Sequence, residues 1–379
     1  MDKFIIKFEK IEYEYFLFEK TEEIVAILRQ HNENNIFIIY DNKINMKALD
    51  KLIFINEKDI NCKVLSIHVE ESGKNLDTIE RLGKKLIDLG VSRDSCLIAV
   101  GGGILGNVVG LLAGLLFRGI KLVHIPTTLI GCADSVISLK QAVNLDVSKN
   151  IIGMYYKPNY ICTSAEIIQG LPEREIKSGY VELVKNMLIC VPNYINDLLN
   201  RKNLDTISYL NLKWILEVSI KAKMMIMRND KYEKKEGILL EYGHTIGHAI
   251  EMLTNGMINH GEGVAIGILV AGEISNTNNG LSNEAIQLQY ELLDKIGIID
   301  NIRTQLRKCK IEIDLLIKHI MKDNKRGYIE SNDNMIPMVI LQDIGKPINT
   351  NGKPITLVKK ELVERCIAKV IVENGGCII

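Results

Sequence analysis

Short, unbroken apolar runs recur through the first third of the chain, at residues 4–8, 35–40, 63–69, 96–100 and 121–125. The segments between them carry apolar residues at helical spacing, as over 78–89. Apolar runs without alternation suit strands covered on both faces, and their separation by amphipathic helices points to a parallel sheet. The run over 104–117 is longer, yet it contains Asn107 and is interrupted by Gly106, Gly110 and Gly114. It falls short of the ~20 apolar residues of a membrane span and predicts a helix buried inside the protein. Beyond about residue 165 the strand signal fades. Pro172-Glu173-Arg174-Glu175 reads as a helix start, the pattern stays mostly helical to about residue 325, and only 335–341 reads as a late strand. A turn is expected at 276–280. The expectation is two domains, an α/β domain over 1–168 and a mostly α-helical one over 169–379.

Length and composition agree with that division: 379 residues suit two domains, and 47% apolar residues are enough to fill both cores. The 47 basic residues balance 47 acidic ones. No long-range field gathers nucleic acid or a membrane surface, so neither is expected as a partner. Eight cysteines, at 62, 96, 132, 162, 190, 309, 366 and 377, include no CxxC pair, which argues against a cysteine zinc site. Scattered cysteines and a start that runs straight into a strand-like FIIKF, with no signal segment, give the expectation of a reducing cytoplasm.

Two places carry candidate chemistry. The run at 96–100 leads into Gly101-Gly102-Gly103 and then Ile104-Leu105-Gly106-Asn107, a strand, a glycine turn and a helix start. Glycines admit a close backbone approach by a phosphate, and a helix N-terminus favours its charge. The spacing is not GxGxxG, and a tight turn without a ligand is an equal reading of these residues alone. Pro126-Thr127-Thr128 adds hydroxyls at the expected carboxyl edge of the sheet. The second place is histidine-rich. His244 and His248 lie four apart on one helix face, and His260 follows near another helix start. A catalytic metal site needs three protein ligands and an open position. Spacing does not select the carboxylate; Glu182, with Lys185 one turn on, stands out.

Taken together, GGGILGN, FRG, PTT, DSVISLKQAVN, KNIIG, LPEREIKSGYVELVK, EYGHTIGHAIE, HGE and DNK, spread over about residues 64–348, resemble the sugar phosphate cyclases, the family of 3-dehydroquinate synthase. The resemblance implies a parallel-sheet dinucleotide-binding domain followed by a mostly helical metal-binding domain. It implies one divalent metal, zinc or cobalt, on Glu182, His244 and His260. It implies NAD held by Glu71, Lys74, Gly101, Gly102, Gly103, Asn107, Thr127 and Thr128, with Asp134 and Lys149 near the nicotinamide. Lys140, Asn150, Lys185, His248 and Lys325 would contact substrate, Lys140, Lys185 and His248 among them in catalytic roles. Arg118 resembles an arginine contributed by a neighbouring subunit, which implies a homodimer.

Within the family this chain carries Ser138-Leu139 where dehydroquinate synthases have Gly-Gly, Glu241 where they have asparagine, and Gly237 where they have an arginine for the acidic substrate. These departures resemble the branch acting on glucose 6-phosphate, in which a sugar is transiently oxidised by NAD, loses phosphate, is reduced again and closes to a carbocycle by an aldol step. Glu241 would then be a base or accept a sugar hydroxyl. The rival expectations are a dehydroquinate synthase, an epi-valiolone-type cyclase, or a polyol dehydrogenase that releases NADH. Ser164-Ala165 stands where the family has Asp-Thr, and Glu70 where it has glycine before Glu71.

Overall fold

The computed structural model describes residues 1–31, 35–44, 62–145, 148–228, 230–278, 280–321, 329 and 334–378. The chain divides into two compact units, Met1–Pro172 with Thr206–Met224, and Glu173–Asp205 with Met225–Ile379.

The first unit is built on a sheet. Its strands are β1 (Asp2–Phe8), β2 (Ile11–Phe18), β3 (Ile36–Asp41), β4 (Cys62–Ile67), β5 (Cys96–Gly101), β6 (Lys121–Pro126) and, after a separate hairpin of β7 (Lys140–Leu145) and β8 (Ser148–Tyr155), β9 (Tyr160–Ser164). The order is β1-β2-β9-β6-β5-β3-β4. Among the described residues only β1 and β2 of this sheet pair antiparallel, as a hairpin; its other pairs are parallel. β5 is buried along its whole length, which is why it reads as an unbroken apolar run. Each of the five expected strands is present. The two strands of this sheet that the pattern did not announce are β2, whose Glu12 and Glu14 dilute its first half, and β9, a five-residue strand that ends on Thr163-Ser164.

Three helices position the first unit's candidate residues: α1 (Leu76–Asp88), α2 (Gly103–Leu115) and α3 (Leu129–Ala133). Asn75 caps α1 through the Thr78 amide. α2 is the expected buried helix, with nine of its residues inside. It packs among Leu97, Ala99, Leu122, Leu82 and Leu86. The stretch Thr206–Met224, which follows the sequence boundary, groups with the first unit. Tyr209 and Lys213 from this stretch both bond the carboxylate of Asp2. A helix that returns to the first unit after a break leaves no local mark in a hydrophobic pattern. In β6, His124 is 2% exposed, and burial pulls its imidazole down to about 4.

The second unit is mostly helical. α4 (Glu173–Ile189), α5 (His244–Leu253) and α6 (His260–Thr277) carry the candidate chemistry, and Asn283–Lys295, Ile298–Leu306 and Lys360–Glu373 pack around them. The expected late strand is two short ones: Met335–Met338 pairs with Thr356–Lys359, and Leu341–Asp343 with Lys346–Pro347. No helix among the described residues is long and apolar enough to cross a membrane.

Candidate functional site

Three helices of the second unit meet because glycines let their backbones touch. A Cβ on Gly267 of α6 would stand 1.9 Å from the Gly243 carbonyl oxygen, and one on Gly247 of α5 would stand 2.8 Å from the Gly263 carbonyl carbon. One on Gly261 would stand 2.5 Å from Ser178 Cα of α4, whose hydroxyl accepts a hydrogen bond from the Gly261 amide. Gly243 also has φ of +78°, a conformation that L side chains adopt at a cost, and it ends the chain's approach to α5. The start of α6 is fixed separately. Asn259 and Glu262 form a capping box, and the Glu262 carboxylate, fully buried, takes two hydrogen bonds of 2.7 Å from Arg174 of α4. Arg174 also donates to the Met257 carbonyl.

These contacts bring Glu182 in the middle of α4, His244 at the first residue of α5 and His260 at the first residue of α6 to one point. Glu182 Oε1 lies 3.3 Å from His244 Nε2 and 3.4 Å from His260 Nε2. One ligand atom from each residue lies within 4.8 Å of the others. Ligands held about 2.1 Å from a tetrahedral cation stand about 3.4 Å apart, so the set has the size of a zinc-type site. Glu182 Oε1 is buried and makes no hydrogen bond, an acceptor left over for a cation. Its other oxygen accepts from Lys185, and both side chains are 1% exposed. Burial pushes the Glu182 carboxyl up, but the Lys185 ammonium and His244 outweigh it and hold the group well below the usual carboxylate range. Lys185 is thus paired to the candidate ligand itself. His260 is raised to about 10: burial pulls it down, and the carboxylates of Glu182 and Glu251 more than reverse that.

His248 lies one turn after His244, and its ring centroid is 5.1 Å from that of His244 and 5.7 Å from that of His260. It borders the three-residue set without joining it. Glu241 ends a short 3₁₀ turn, Glu236–Glu241, that leads through Tyr242 and Gly243 into α5. In the same turn Gly237 donates to Asp230 Oδ2 at 2.8 Å. Lys325 lies outside the described residues.

In the first unit, Gly101 ends β5, Gly102 is the N-cap of α2 and Gly103 its first residue. Gly102 brings no side chain to the cap, so the first amides of α2 are left without one. Cβ atoms on Gly102 and Gly103 would stand 3.2 Å from Thr128 Cγ2 and 3.1 Å from Ser135 Oγ, so the loop is closely walled. Thr127 donates its amide to the Gly101 carbonyl, and the Thr128 hydroxyl caps α3. Asn107 donates to the Gly103 carbonyl and accepts from the Ala142 amide. A helix start at the carboxyl end of a parallel strand, opened by glycines, fits a dinucleotide pyrophosphate.

A second cluster surrounds Asn144. It donates to the backbone carbonyl and Oε1 of Glu71, accepts from the Asn150 amide through Oδ1, and gives its own amide to the Lys74 carbonyl. Lys74, buried, donates to Asn150 Oδ1, and Lys149 stands 4.0 Å from Glu71. Asn150, expected at the substrate, is hydrogen-bonded to Lys74 and Asn144, with φ of +57°. Asp134 lies 3.1 Å from the buried Lys223. Ser164 caps the helix Ala165–Gln169 and bonds Thr21, so its hydroxyl serves the fold. Lys140 opens β7 and is exposed; Arg118 is exposed too, in a run Phe117-Arg118-Gly119 with φ of +51°, +70° and +122°. Sequence reading missed Glu251, Arg174, Lys223 and Asn144 as participants. Glu251 alone left a signal, since it follows His244 by seven residues on the same helix face.

The 3-dehydroquinate synthase N-terminal family matches residues 64–178, and its C-terminal counterpart residues 179–326. The chain is 40% identical to the 2-deoxy-scyllo-inosose synthase of Niallia circulans over 307 residues, 80% of this chain and 82% of that one. A crystal structure of 2-deoxy-scyllo-inosose synthase complexed with carbaglucose-6-phosphate, NAD+ and Co2+ superposes with a TM-score of 0.88 at 34% identity, covering 97% of this chain and 100% of the other. The 2-epi-5-epi-valiolone synthase of Streptomyces hygroscopicus subsp. jinggangensis, with NAD+ and Zn2+ bound, shares the fold, with a TM-score of 0.78 at 18% identity over 97% of this chain and 99% of that one.

Proposed function

The chain belongs to the 3-dehydroquinate synthase family, and from that premise we propose that it is a carbocycle-forming cyclase that converts glucose 6-phosphate to 2-deoxy-scyllo-inosose with release of phosphate. The likeness to 2-deoxy-scyllo-inosose synthases over four-fifths of the chain supports the branch. A divalent cation, zinc or cobalt, held by Glu182, His244 and His260, supplies Lewis acidity toward sugar hydroxyls. NAD, held by the glycine loop and the Glu71–Lys74 element, supplies a reversible hydride acceptor, so the net reaction is that of a lyase.

The side chains supply the rest. Lys185 keeps Glu182 ionised and so available as a ligand. Glu241 accepts the proton whose removal expels phosphate, and His248, beside the ligands, relays protons to sugar oxygens. Lys140 and Lys325 meet the phosphate as point charges. Arg118 reaches the site of a second copy in a homodimer. Its outward display on a strained backbone and the exposed Leu115, Leu145, Ile151 and Tyr155 of the same unit support that assembly. The enzyme works in the cytoplasm, and its product feeds aminoglycoside antibiotic biosynthesis.

The observation that carries the substrate is the turn at Gly237. A side chain there would place Cβ 2.5 Å from Glu233 Cβ and 3.2 Å from Asp230 Oδ2. The same Asp230 carboxylate already accepts the amides of Lys234, Lys235 and Gly237. The turn leaves no place for an arginine that would neutralise a substrate carboxylate, and glucose 6-phosphate has no carboxylate to meet one. The test is incubation with glucose 6-phosphate, NAD and cobalt. Phosphate and a carbocycle should form without net NADH. Turnover of sedoheptulose 7-phosphate in place of glucose 6-phosphate, or stoichiometric NADH, would overturn the reading.

A further inference from the structure

We propose that Glu251 is a positioning residue of the metal centre, an outer carboxylate that fixes the tautomer and the ring orientation of His260. The inference rests on the assignment of Glu182, His244 and His260 as ligands. His260 turns its two ring nitrogens to two carboxylates: Nε2 stands 3.4 Å from Glu182 Oε1, and Nδ1 stands 3.4 Å from Glu251 Oε2. As a metal ligand the imidazole is neutral, with one N–H and one lone pair. Glu251 accepts the N–H at Nδ1, and the lone pair is then on Nε2, the atom that faces Glu182.

His244 shows the same division of its ring. Its Nδ1 lies 3.2 Å from the Tyr242 carbonyl and its Nε2 3.3 Å from Glu182 Oε1. Both imidazoles therefore present Nε2, but by different means. His244 leans on backbone and its side chain is 8% exposed, so the Tyr242 carbonyl and packing hold the ring. His260 is 30% exposed and has space to turn, so a side chain has to hold it. Glu251 reaches it because it stands seven residues after His244, two turns along the same face of α5, whereas His260 opens α6. One helix thus supplies one ligand and the anchor of another. A partner of this kind orients a ligand and raises its basicity, and its loss typically weakens metal binding by about 10–100-fold.

The test uses the full chain stripped of metal and titrated with cobalt, reading affinity by chelator competition and ligand geometry by the visible spectrum. Glu251→Ala should bind cobalt about 10–100-fold more weakly than the parent. Glu251→Gln keeps the volume but loses the charge and can present its amide N–H to the ring. It should lose roughly three- to tenfold in cobalt affinity, with a shifted cobalt band, while the metal-free protein still folds cooperatively. Should Glu251→Ala not fold, Glu251→Gln decides. Affinity within about twofold of the parent, with an unchanged spectrum, would overturn the role of Glu251 while leaving the three ligands standing. A parent that takes up no cobalt would overturn both.

Discussion

Lys185 holds Glu182 through Oε2, and Oε1 of the same carboxylate is the oxygen that faces the two imidazoles. The pair is therefore a counterion arrangement for the candidate ligand, with both partners out of water. Removing one member of such a pair leaves an uncompensated charge. Lys185→Met should lower the stability of the metal-free protein by about 3 kcal/mol. Cobalt should then stabilise the variant more than it stabilises the parent, because a cation at Oε1 replaces the missing ammonium. Urea unfolding with and without cobalt measures both. Equal cobalt effects in the two proteins would count against the counterion role.

Arg174 offers a second test, at the start of α6. Its guanidinium makes two hydrogen bonds to the fully buried Glu262, which in turn accepts the Asn259 amide. Arg174→Met should cost about 2–4 kcal/mol in urea unfolding, somewhat less than a wholly buried pair because the arginine is 39% exposed. Arg174→Lys should recover only part, since lysine cannot make the bidentate contact.

The glycine contacts between α5 and α6 set a geometric limit. Gly267→Ala would place a methyl 1.9 Å from the Gly243 carbonyl oxygen, which is backbone and cannot swing aside. The helices must part, at a cost of about 1–3 kcal/mol or more. Since His244 follows Gly243 directly, the variant should also bind cobalt more weakly. Gly272→Ala, on the same helix, would meet only the side-chain amide of Gln289, at 3.2 Å and not backbone, and is the control that should leave cobalt binding intact.

Glu241→Gln addresses the proposed base. Phosphate release should fall by about 10²–10⁴-fold while cobalt content stays that of the parent. Lost metal would mean that Glu241 acts on the centre and not on the sugar.

The pH dependence of stability has a component at His124. Burial lowers its imidazole from 6.5 to about 4, so the folded protein binds fewer protons there than the unfolded chain does between those values. Stability is full above about pH 6.5 and is lost as the pH falls toward 4, by about 3 kcal/mol over the whole range. Urea midpoints between pH 7 and 4 should fall less steeply in His124→Leu than in the parent.

The hydrophobic pattern revealed what depends on neighbours in sequence. β5, a strand buried on both faces, announces itself as an apolar run, and α2 as a longer one. The return of Thr206–Met224 to the first unit left no trace, because grouping is decided by surfaces far apart in sequence. At the site the same rule holds. His244, His248 and Glu251 share one face of one helix and could be read together. His260 and Glu182 come from two other helices; the clustering of histidines pointed to His260, and only the family's motifs named Glu182 as the carboxylate. Arg174 is a surface-type residue in sequence, and its use depends on Glu262, 88 positions away.

The helices that carry Glu182, His244 and His260 touch backbone to backbone, and α6 is inside the unit along most of its length. Opening such a helix bares the many residues it buries in the unit's core, so its amides should exchange with solvent only through events close to global unfolding. Domains whose fold is driven by the ion lose their shape when it is chelated. This unit draws its fold from its own core, so chelation should leave the site's shape in place and the pocket ready to refill.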